Sequence, residues 1–129
     1  MPVKKVLFVC IENACRSQMA EALFNKFAKG ARAFSAGSRP AKEIDSKTVE
    51  VLKEKGLDIA GKKPKSVDEF RGEQFDAVVA MGCGDECPYI PAKMRIAWEI
   101  ENPKGKSVEF YRKILSEIEG KVQVLRAEV

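Results

Sequence analysis

Histidine is missing from this 129-residue sequence. Its absence excludes Ser-His and Cys-His catalytic pairs and removes the commonest nitrogen ligand of protein-bound metals. Long apolar runs are missing as well, since no stretch approaches the roughly 20 residues of a transmembrane helix. We therefore expect a protein that does not span a membrane and whose chemistry, if it has any, depends on other side chains.

A strong charge bias is also lacking. Lysine and arginine number 23 against 19 acidic residues, which gives a formal net charge of +4. This excess favours anionic substrates but does not indicate nucleic acid, because the short basic run at 62–65 has no interleaved aromatic residues. The sequence enters an apolar segment at once, so we expect no signal peptide and a cytoplasmic location.

Cysteine is scarce and clustered: Cys10 and Cys15 lie near the start, and Cys83 and Cys87 lie together in a glycine-rich stretch. In a reducing compartment, four cysteines in two groups favour catalysis, redox chemistry or metal binding over a disulfide framework. The sequence therefore directs attention to these two segments.

Apolar segments of strand length alternate along the chain with segments of helical periodicity. Asp45 is a candidate helix N-cap, and Ser66 with Glu69 has the spacing of a capping box. The length predicts a single domain over residues 1–129, and the alternation predicts an α/β three-layer sandwich in which a four-stranded parallel sheet has helices on both faces. We predict strands at 6–9, 31–37, 75–81 and 95–99, and helices at 17–29, 45–55 and 107–126, with a short helix after Ser66.

The turn from the first strand into the first helix is the strongest functional signal. Cys10 ends the strand, and Arg16 and Ser17 open the helix. Loop N–H groups and a helix N-terminus attract anions, and an arginine can donate two hydrogen bonds to a tetrahedral oxyanion. A thiol in such a field is acidified, so we expect Cys10 to be a thiolate that attacks phosphorus or arsenic. The predicted substrate-binding residues are Ile11, Glu12, Asn13, Ala14, Cys15 and Arg16. The competing interpretation is a buried structural cysteine beside a surface arginine.

A second signal comes from the sheet itself. Parallel sheets bind ligands at the carboxyl ends of their strands, which brings together the loops after strands one, three and four. All four cysteines fall in the first two of these loops. A thiol in the glycine-rich loop that reaches Cys10, with a second thiol beside it, would form a redox relay. A four-sulfur metal site is the alternative, although metal on Cys10 would close the oxyanion site.

Three segments together resemble a known family: Val9-Cys10-Ile11-Glu12-Asn13-Ala14-Cys15-Arg16-Ser17-Gln18-Met19-Ala20-Glu21-Ala22, then Phe34-Ser35-Ala36-Gly37, then Cys83 and Cys87 with Pro88. The sequence is similar to thioredoxin-coupled arsenate reductases, which share their fold with the low-molecular-weight protein tyrosine phosphatases.

The resemblance implies that Cys10 attacks arsenate, that Cys83 then attacks the Cys10 sulfur and releases arsenite, and that Cys87 takes over the disulfide, which thioredoxin reduces. It further implies that Ser17 donates a hydrogen bond to the Cys10 thiolate and that Asn13 braces the loop. The expected setting is arsenic detoxification by a monomer.

The sequence departs from the family at two functional positions. Asn102 stands where the family has an aspartate that transfers protons, so Glu101, Glu99 or a water would have to replace it. Lys65 stands at the last ligand position of a potassium site otherwise formed by Asn13, Glu21 and Ser35. We therefore expect no metal, no cofactor and no potassium dependence.

Three other functions remain open at this point. A phosphatase acting on phosphotyrosine or small phosphate esters would use Cys10 and Arg16 without Cys83 and Cys87, but it would need the missing aspartate. A carrier protein would accept phosphate on Cys10 from a partner. A zinc-bound structural protein would use the four cysteines as ligands.

Overall fold

The computed structural model describes residues 3–82 and 90–129. Four strands are present in this part of the chain: β1 (Lys4–Cys10), β2 (Ala31–Gly37), β3 (Phe75–Ala80) and β4 (Ala92–Ala97). They form one parallel sheet in the order β2-β1-β3-β4. β1 is therefore an inner strand, and Cys10 is its last residue.

The helices of the described ranges are α1 (Arg16–Phe27) between β1 and β2, α2 (Ser46–Glu54) and a 3₁₀ helix (Val67–Phe70) between β2 and β3, and α3 (Val108–Glu128) after β4. Asp45 caps α2 by accepting the N–H of Lys47, which confirms the predicted cap. The capping box of Ser66 and Glu69 is also confirmed at the 3₁₀ helix. Ser107 caps α3 by accepting the N–H of Phe110 with its side chain.

Alternate side chains of β1 face two different layers. Val6, Phe8 and Cys10 belong to a core cluster shared with all three α-helices. Leu7 and Val9 belong to a second cluster that includes side chains of the 3₁₀ helix. Burial on both sides explains why β1 is a continuous apolar run in the sequence. The predicted α/β fold, a four-stranded parallel sheet with helices on both faces, is confirmed, with the 3₁₀ helix on the second face.

Several predicted boundaries were wrong by one to three residues, β1 being Lys4–Cys10 rather than 6–9. β4 is Ala92–Ala97, not 95–99. Ala92 and Lys93 are weak strand formers, so their identities did not indicate a strand. The strand nevertheless begins at Ala92, because this edge segment pairs in register with β3. Trp98 follows the strand and is buried against Phe8, with ring centroids 5.7 Å apart. α1 begins at Arg16 and ends at Phe27, before Gly30, rather than running from 17 to 29.

The lengths and composition of the helices bear on membrane insertion. Over residues 3–82 and 90–129, no helix combines the length and the apolar content that crossing a bilayer requires.

Candidate active site

The loop between β1 and α1, residues 11–15, is held by its carbonyl oxygens; we call it the anion loop. The carbonyls of residues 10, 11, 12 and 14 accept backbone hydrogen bonds of 2.8–3.2 Å from the segment 38–45. No N–H group of residues 12–15 donates to another residue that the structure describes. Because the acceptors are used and the donors are not, the loop offers N–H groups to an anion.

Gly37, the last residue of β2, allows the anion loop to lie this close to the sheet. A Cβ atom at Gly37 would stand 2.5 Å from the Ile11 carbonyl oxygen and 2.9 Å from the Asn13 nitrogen. Both neighbours are backbone atoms, so they cannot move aside as a side chain would. The glycine that ends the second strand is therefore required for the shape of the loop.

Asn13 fixes the direction of a hydrogen-bond chain that ends at Cys10. The N–H of Lys65, which can only donate, lies 2.8 Å from Asn13 Oδ1, and Gln18 Nε2 donates to the same oxygen at 3.0 Å. Asn13 Nδ2 must then face Ser17, and it donates to Ser17 Oγ at 2.7 Å. Asn13 is fully buried and has a φ of 53°, a left-handed conformation that asparagine tolerates.

The Ser17 hydroxyl completes this chain. Its oxygen accepts from Asn13 and lies 2.9 Å from Cys10 Sγ. Either atom of this pair can be the donor; when Cys10 is a thiolate, which carries no hydrogen, the serine hydroxyl is the donor. A donated O–H stabilises a thiolate more than a thiol, since the charged acceptor makes the stronger hydrogen bond. The contact expected between Ser17 and Cys10 is present, and the brace expected of Asn13 is present with it.

Arg16 is the buried cation of the site, only 5% exposed. Its Nη1 donates to the Ile100 carbonyl oxygen at 3.0 Å, which ties α1 to the loop after β4. Its Nε is buried without a hydrogen-bond partner among the described residues. A buried unpaired donor is costly, and an oxyanion bound beside it would supply the missing acceptor.

Cys15 is the second buried free thiol of the described chain. Burial raises the pKa of the Cys15 thiol to about 12, against only a partial opposing effect of the nearby Thr48 hydroxyl. Cys15 therefore stays protonated at neutral pH and is a poor nucleophile. Of the two thiols, Cys10 is therefore the candidate nucleophile.

These groups surround a cavity of about 180 Å³ at the carboxyl ends of the strands. The sheet-edge prediction is confirmed for the loops after β1 and β4, which both contribute to the wall. Cys83 and Cys87 lie outside the described residues, so the predicted thiol relay stays a prediction. The cavity is lined by Cys10, Glu12, Ala14, Cys15, Arg16, Ala41, Glu43, Asp45, Asn102 and Lys104.

The residues considered for the role of the missing aspartate, Asn102, Glu101 and Glu99, have different positions. Asn102 lines the cavity, whereas Glu101 is exposed and does not line it, and neither does Glu99. The carboxylates of the wall belong to Glu12, Glu43 and Asp45, none of which sequence reasoning assigned to proton transfer. No pattern in the sequence around Glu43 indicates that it belongs to the site. It lines the cavity because the fold brings the segment before α2 next to the anion loop.

The cluster expected to replace a potassium site is built around Glu21, which is 4% exposed. Glu21 Oε1 accepts from Ser35 Oγ at 2.8 Å. Lys62 Nζ lies 2.8 Å from Oε2, and Lys65 Nζ lies 3.8 Å from Oε1. The closer ammonium group is thus that of Lys62, while Lys65 contributes mainly its backbone N–H to Asn13.

Comparison with known proteins adds to this geometry. The low molecular weight phosphotyrosine protein phosphatase family matches residues 5–129. The chain belongs to this family. Among relatives of this phosphatase family member, the arsenate reductase structure from Archaeoglobus fulgidus is 44% identical with a TM-score of 0.83, covering 95% of this chain and 98% of that one.

Two further relatives differ in the reductant that their names state. The thioredoxin-dependent arsenate reductase of Corynebacterium glutamicum is 39% identical with a TM-score of 0.80, covering 98% of this chain and 62% of that one. The glutaredoxin arsenate reductase of Synechocystis is 29% identical over 130 residues, covering 98% of this chain and 99% of that protein. The family resemblance drawn from the sequence is confirmed.

Proposed function

We propose that this protein reduces arsenate to arsenite, with Cys10 as the nucleophile. The observation that carries the proposal is the Cys10 sulfur 2.9 Å from the Ser17 hydroxyl, in a cavity with loop N–H groups and an Arg16 Nε that have no partner among the described residues. Similarity to several arsenate reductases over nearly the whole chain supports arsenate as the oxyanion.

The first step follows from these groups. Arsenate binds to the N–H groups of the anion loop and to Arg16. The Cys10 thiolate attacks arsenic, an S–As bond forms, and one As–O bond breaks. The departing oxygen leaves as water after taking a proton, and arsenic remains in the +5 state. Ser17 holds the thiolate in place until the attack.

The second step is a transfer of two electrons. The Cys83 thiolate attacks the Cys10 sulfur, an S–S bond forms, and the S–As bond breaks with its electron pair on arsenic, which departs as arsenite. Cys87 then attacks Cys83, so that a Cys83–Cys87 disulfide forms and Cys10 is released as a thiolate. These roles of Cys83 and Cys87 rest on the family resemblance.

The disulfide needs an external dithiol, and we propose thioredoxin. Thioredoxin keeps thiols reduced in the cytoplasm, which we propose as the location of the reaction. The cavity, its nucleophile and its cation all come from one chain, so we take the monomer as the functional unit. Because one relative is named as a glutaredoxin enzyme, turnover is to be compared with thioredoxin and with glutaredoxin at equal concentration.

The test is a single turnover without any external reductant. Reduced protein is incubated with excess arsenate, arsenite is counted, and disulfides are mapped by mass spectrometry. One arsenite per chain with a Cys83–Cys87 bridge is expected. In Cys87→Ser, a Cys10–Cys83 bridge should be trapped, and in Cys83→Ser no arsenite should be released. Four free thiols in the wild type after the incubation would contradict the proposal.

A phosphatase remains the second candidate, since the family is named for that activity and Cys10 and Arg16 serve both reactions. Ester hydrolysis needs a proton for the leaving group. The loop after β4 offers the amide of Asn102, which cannot supply one. We therefore expect weak hydrolysis of phosphate esters, measurable by release of para-nitrophenol. Hydrolysis faster than arsenate reduction would favour the phosphatase.

We further propose that the protein needs no potassium ion. The negative charge of buried Glu21 is compensated by the ammonium groups of Lys62 and Lys65, as a bound cation would compensate it. The rate of arsenate reduction should be the same in potassium and sodium salts at fixed ionic strength. A several-fold rise with potassium would contradict this, and Lys62→Met is the variant in which such a rise is expected.

A further inference from the structure

An ion pair crosses the cavity from one loop to another. Lys104 Nζ lies 3.0 Å from Glu12 Oε1 and 3.1 Å from Oε2, so one ammonium group binds both carboxylate oxygens. Glu12 belongs to the anion loop and Lys104 to the loop after β4, and both line the cavity. The N–H of Lys104 also donates to Asn102 Oδ1 at 3.1 Å, which fixes the backbone beneath the lysine. We call this pair the rim bridge.

Exposure places the rim bridge at the opening of the cavity. Cys10 and Arg16 are 2% and 5% exposed, whereas the side chains of Glu12 and Lys104 are 35% and 64% exposed. The reacting sulfur therefore lies at the base and the bridge lies towards solvent. A part of a bound ligand that extends from Cys10 towards solvent therefore approaches the bridge.

The direction of the reaction determines what extends outwards. In displacement at a tetrahedral centre, the leaving oxygen lies roughly opposite the attacking atom. With Cys10 at the base, the leaving oxygen points to the opening. In free arsenate that oxygen carries at most a hydrogen. In a phosphate ester it carries the organic group, which must occupy the space that the rim bridge spans.

The rest of the wall offers little to an organic group. Of the described residues that line the cavity, none has an aromatic ring on which a phenyl group could stack. Glu43 and Asp45 add carboxylates to the wall, and these are unfavourable neighbours for an apolar or acidic substituent. The carboxylates of the wall and the rim bridge therefore both disfavour organic esters of the oxyanion.

We propose that the Glu12–Lys104 rim bridge is a specificity element that admits free tetrahedral oxyanions and hinders their organic esters. This inference rests on the proposed arsenate reduction for its biological meaning. What it states physically is a preference in ligand binding, which can be measured without any reaction. Both residues are exposed, and pairs of this kind are weak. The bridge can therefore account for about a two- to fivefold preference, on top of the preference set by the rest of the wall.

Two non-reacting ligands test the proposal on the whole protein. Inorganic phosphate represents the free oxyanion, and phenylphosphonate represents the ester because its P–C bond is not hydrolysed. Dissociation constants of both are measured by isothermal titration calorimetry for the wild type, Glu12→Gln, Lys104→Met and the double variant. Glu119→Gln is the matched control, since it breaks a remote exposed ion pair with Lys55 of 2.7 Å.

The readout is the ratio of the two dissociation constants, phenylphosphonate over phosphate. It should fall about two- to fivefold in each single variant, no further in the double variant, and not in Glu119→Gln. A general charge effect would instead tighten both ligands in Glu12→Gln and weaken both in Lys104→Met, with an unchanged ratio. That result would overturn the proposal.

The outcome is independent of arsenate reduction, because neither ligand is reduced. A changed ratio in a protein that releases no arsenite would support the rim bridge and refute the proposed function. An unchanged ratio in an active arsenate reductase would refute only the rim bridge.

Discussion

The Gly82→Ala substitution tests whether Arg16 forms the oxyanion site. Gly82 follows β3 with a φ of +86°, and a Cβ atom there would stand 2.4 Å from Arg16 Nη1. This nitrogen is the far end of a flexible side chain, so the protein can accommodate alanine by moving the guanidinium group. That movement would break the hydrogen bond from Nη1 to the Ile100 carbonyl oxygen and turn Nε away from its present position.

The expected loss of phosphate affinity follows from the hydrogen bonds that Gly82→Ala would break. A hydrogen bond to a charged group contributes about 1.5–3 kcal/mol, and we expect the displaced guanidinium to lose one such bond to the bound oxyanion. The affinity for inorganic phosphate should then fall about 10- to 150-fold. Forcing a left-handed conformation on alanine costs about 1–2 kcal/mol of folding stability in addition.

Gly72→Ala separates these two effects. Gly72 has a φ of +85°, but a Cβ atom there would meet nothing within 4 Å. Both variants should lose similar stability in urea unfolding, while only Gly82→Ala should lose phosphate binding in calorimetry and arsenate reduction. If Gly82→Ala bound phosphate as tightly as Gly72→Ala, the assignment of Arg16 as the oxyanion ligand would be refuted.

Three further predictions concern the groups around the anion loop. Ser17→Ala removes the hydroxyl 2.9 Å from Cys10 Sγ, so alkylation of Cys10 by iodoacetamide at neutral pH should slow about tenfold; an unchanged rate would show that the serine does not support the thiolate. Tyr111→Phe removes the hydrogen bond to Asp45 and should lower the free energy of unfolding by about 1.5–3 kcal/mol; a loss no larger than that of an exposed substitution would count against the bond. The folded pKa of Cys15 is raised to about 12 from 9.0, so the unfolded chain loses this proton first and stability should fall as pH rises above 9. By pH 10 the wild type should lose about 1.4 kcal/mol more than Cys15→Ala in urea unfolding, and parallel losses would contradict the raised pKa.

Local sequence determined the elements that carry the chemistry. An apolar run followed by Cys10, a short loop and the Arg16–Ser17 pair predicts a strand, an anion loop and a helix N-terminus, because each of these depends on a few neighbouring residues. The caps at Asp45 and Ser66 were predictable for the same reason. The alternation of strands and helices was enough for the parallel sheet, since short connections leave few other topologies.

Tertiary structure decided which distant side chains complete the site. The sequence pointed to Lys65 as the cation beside Glu21, but the closer ammonium group is that of Lys62, because the fold brings the connection after α2 across the first helix. Glu101 was a candidate for proton transfer, yet it is Asn102 that lines the cavity.

The same limit applies to the rim bridge, whose partners are 92 positions apart. No local pattern encodes that pairing, since it depends on two loops that converge at the carboxyl edge of the sheet. The contact of Gly82 with Arg16 has the same origin. The sequence by itself determined the candidate nucleophile and the anion loop. The position of the arginine, the neighbours of Glu21 and the charges at the cavity opening were set by the packing of segments far apart in the chain.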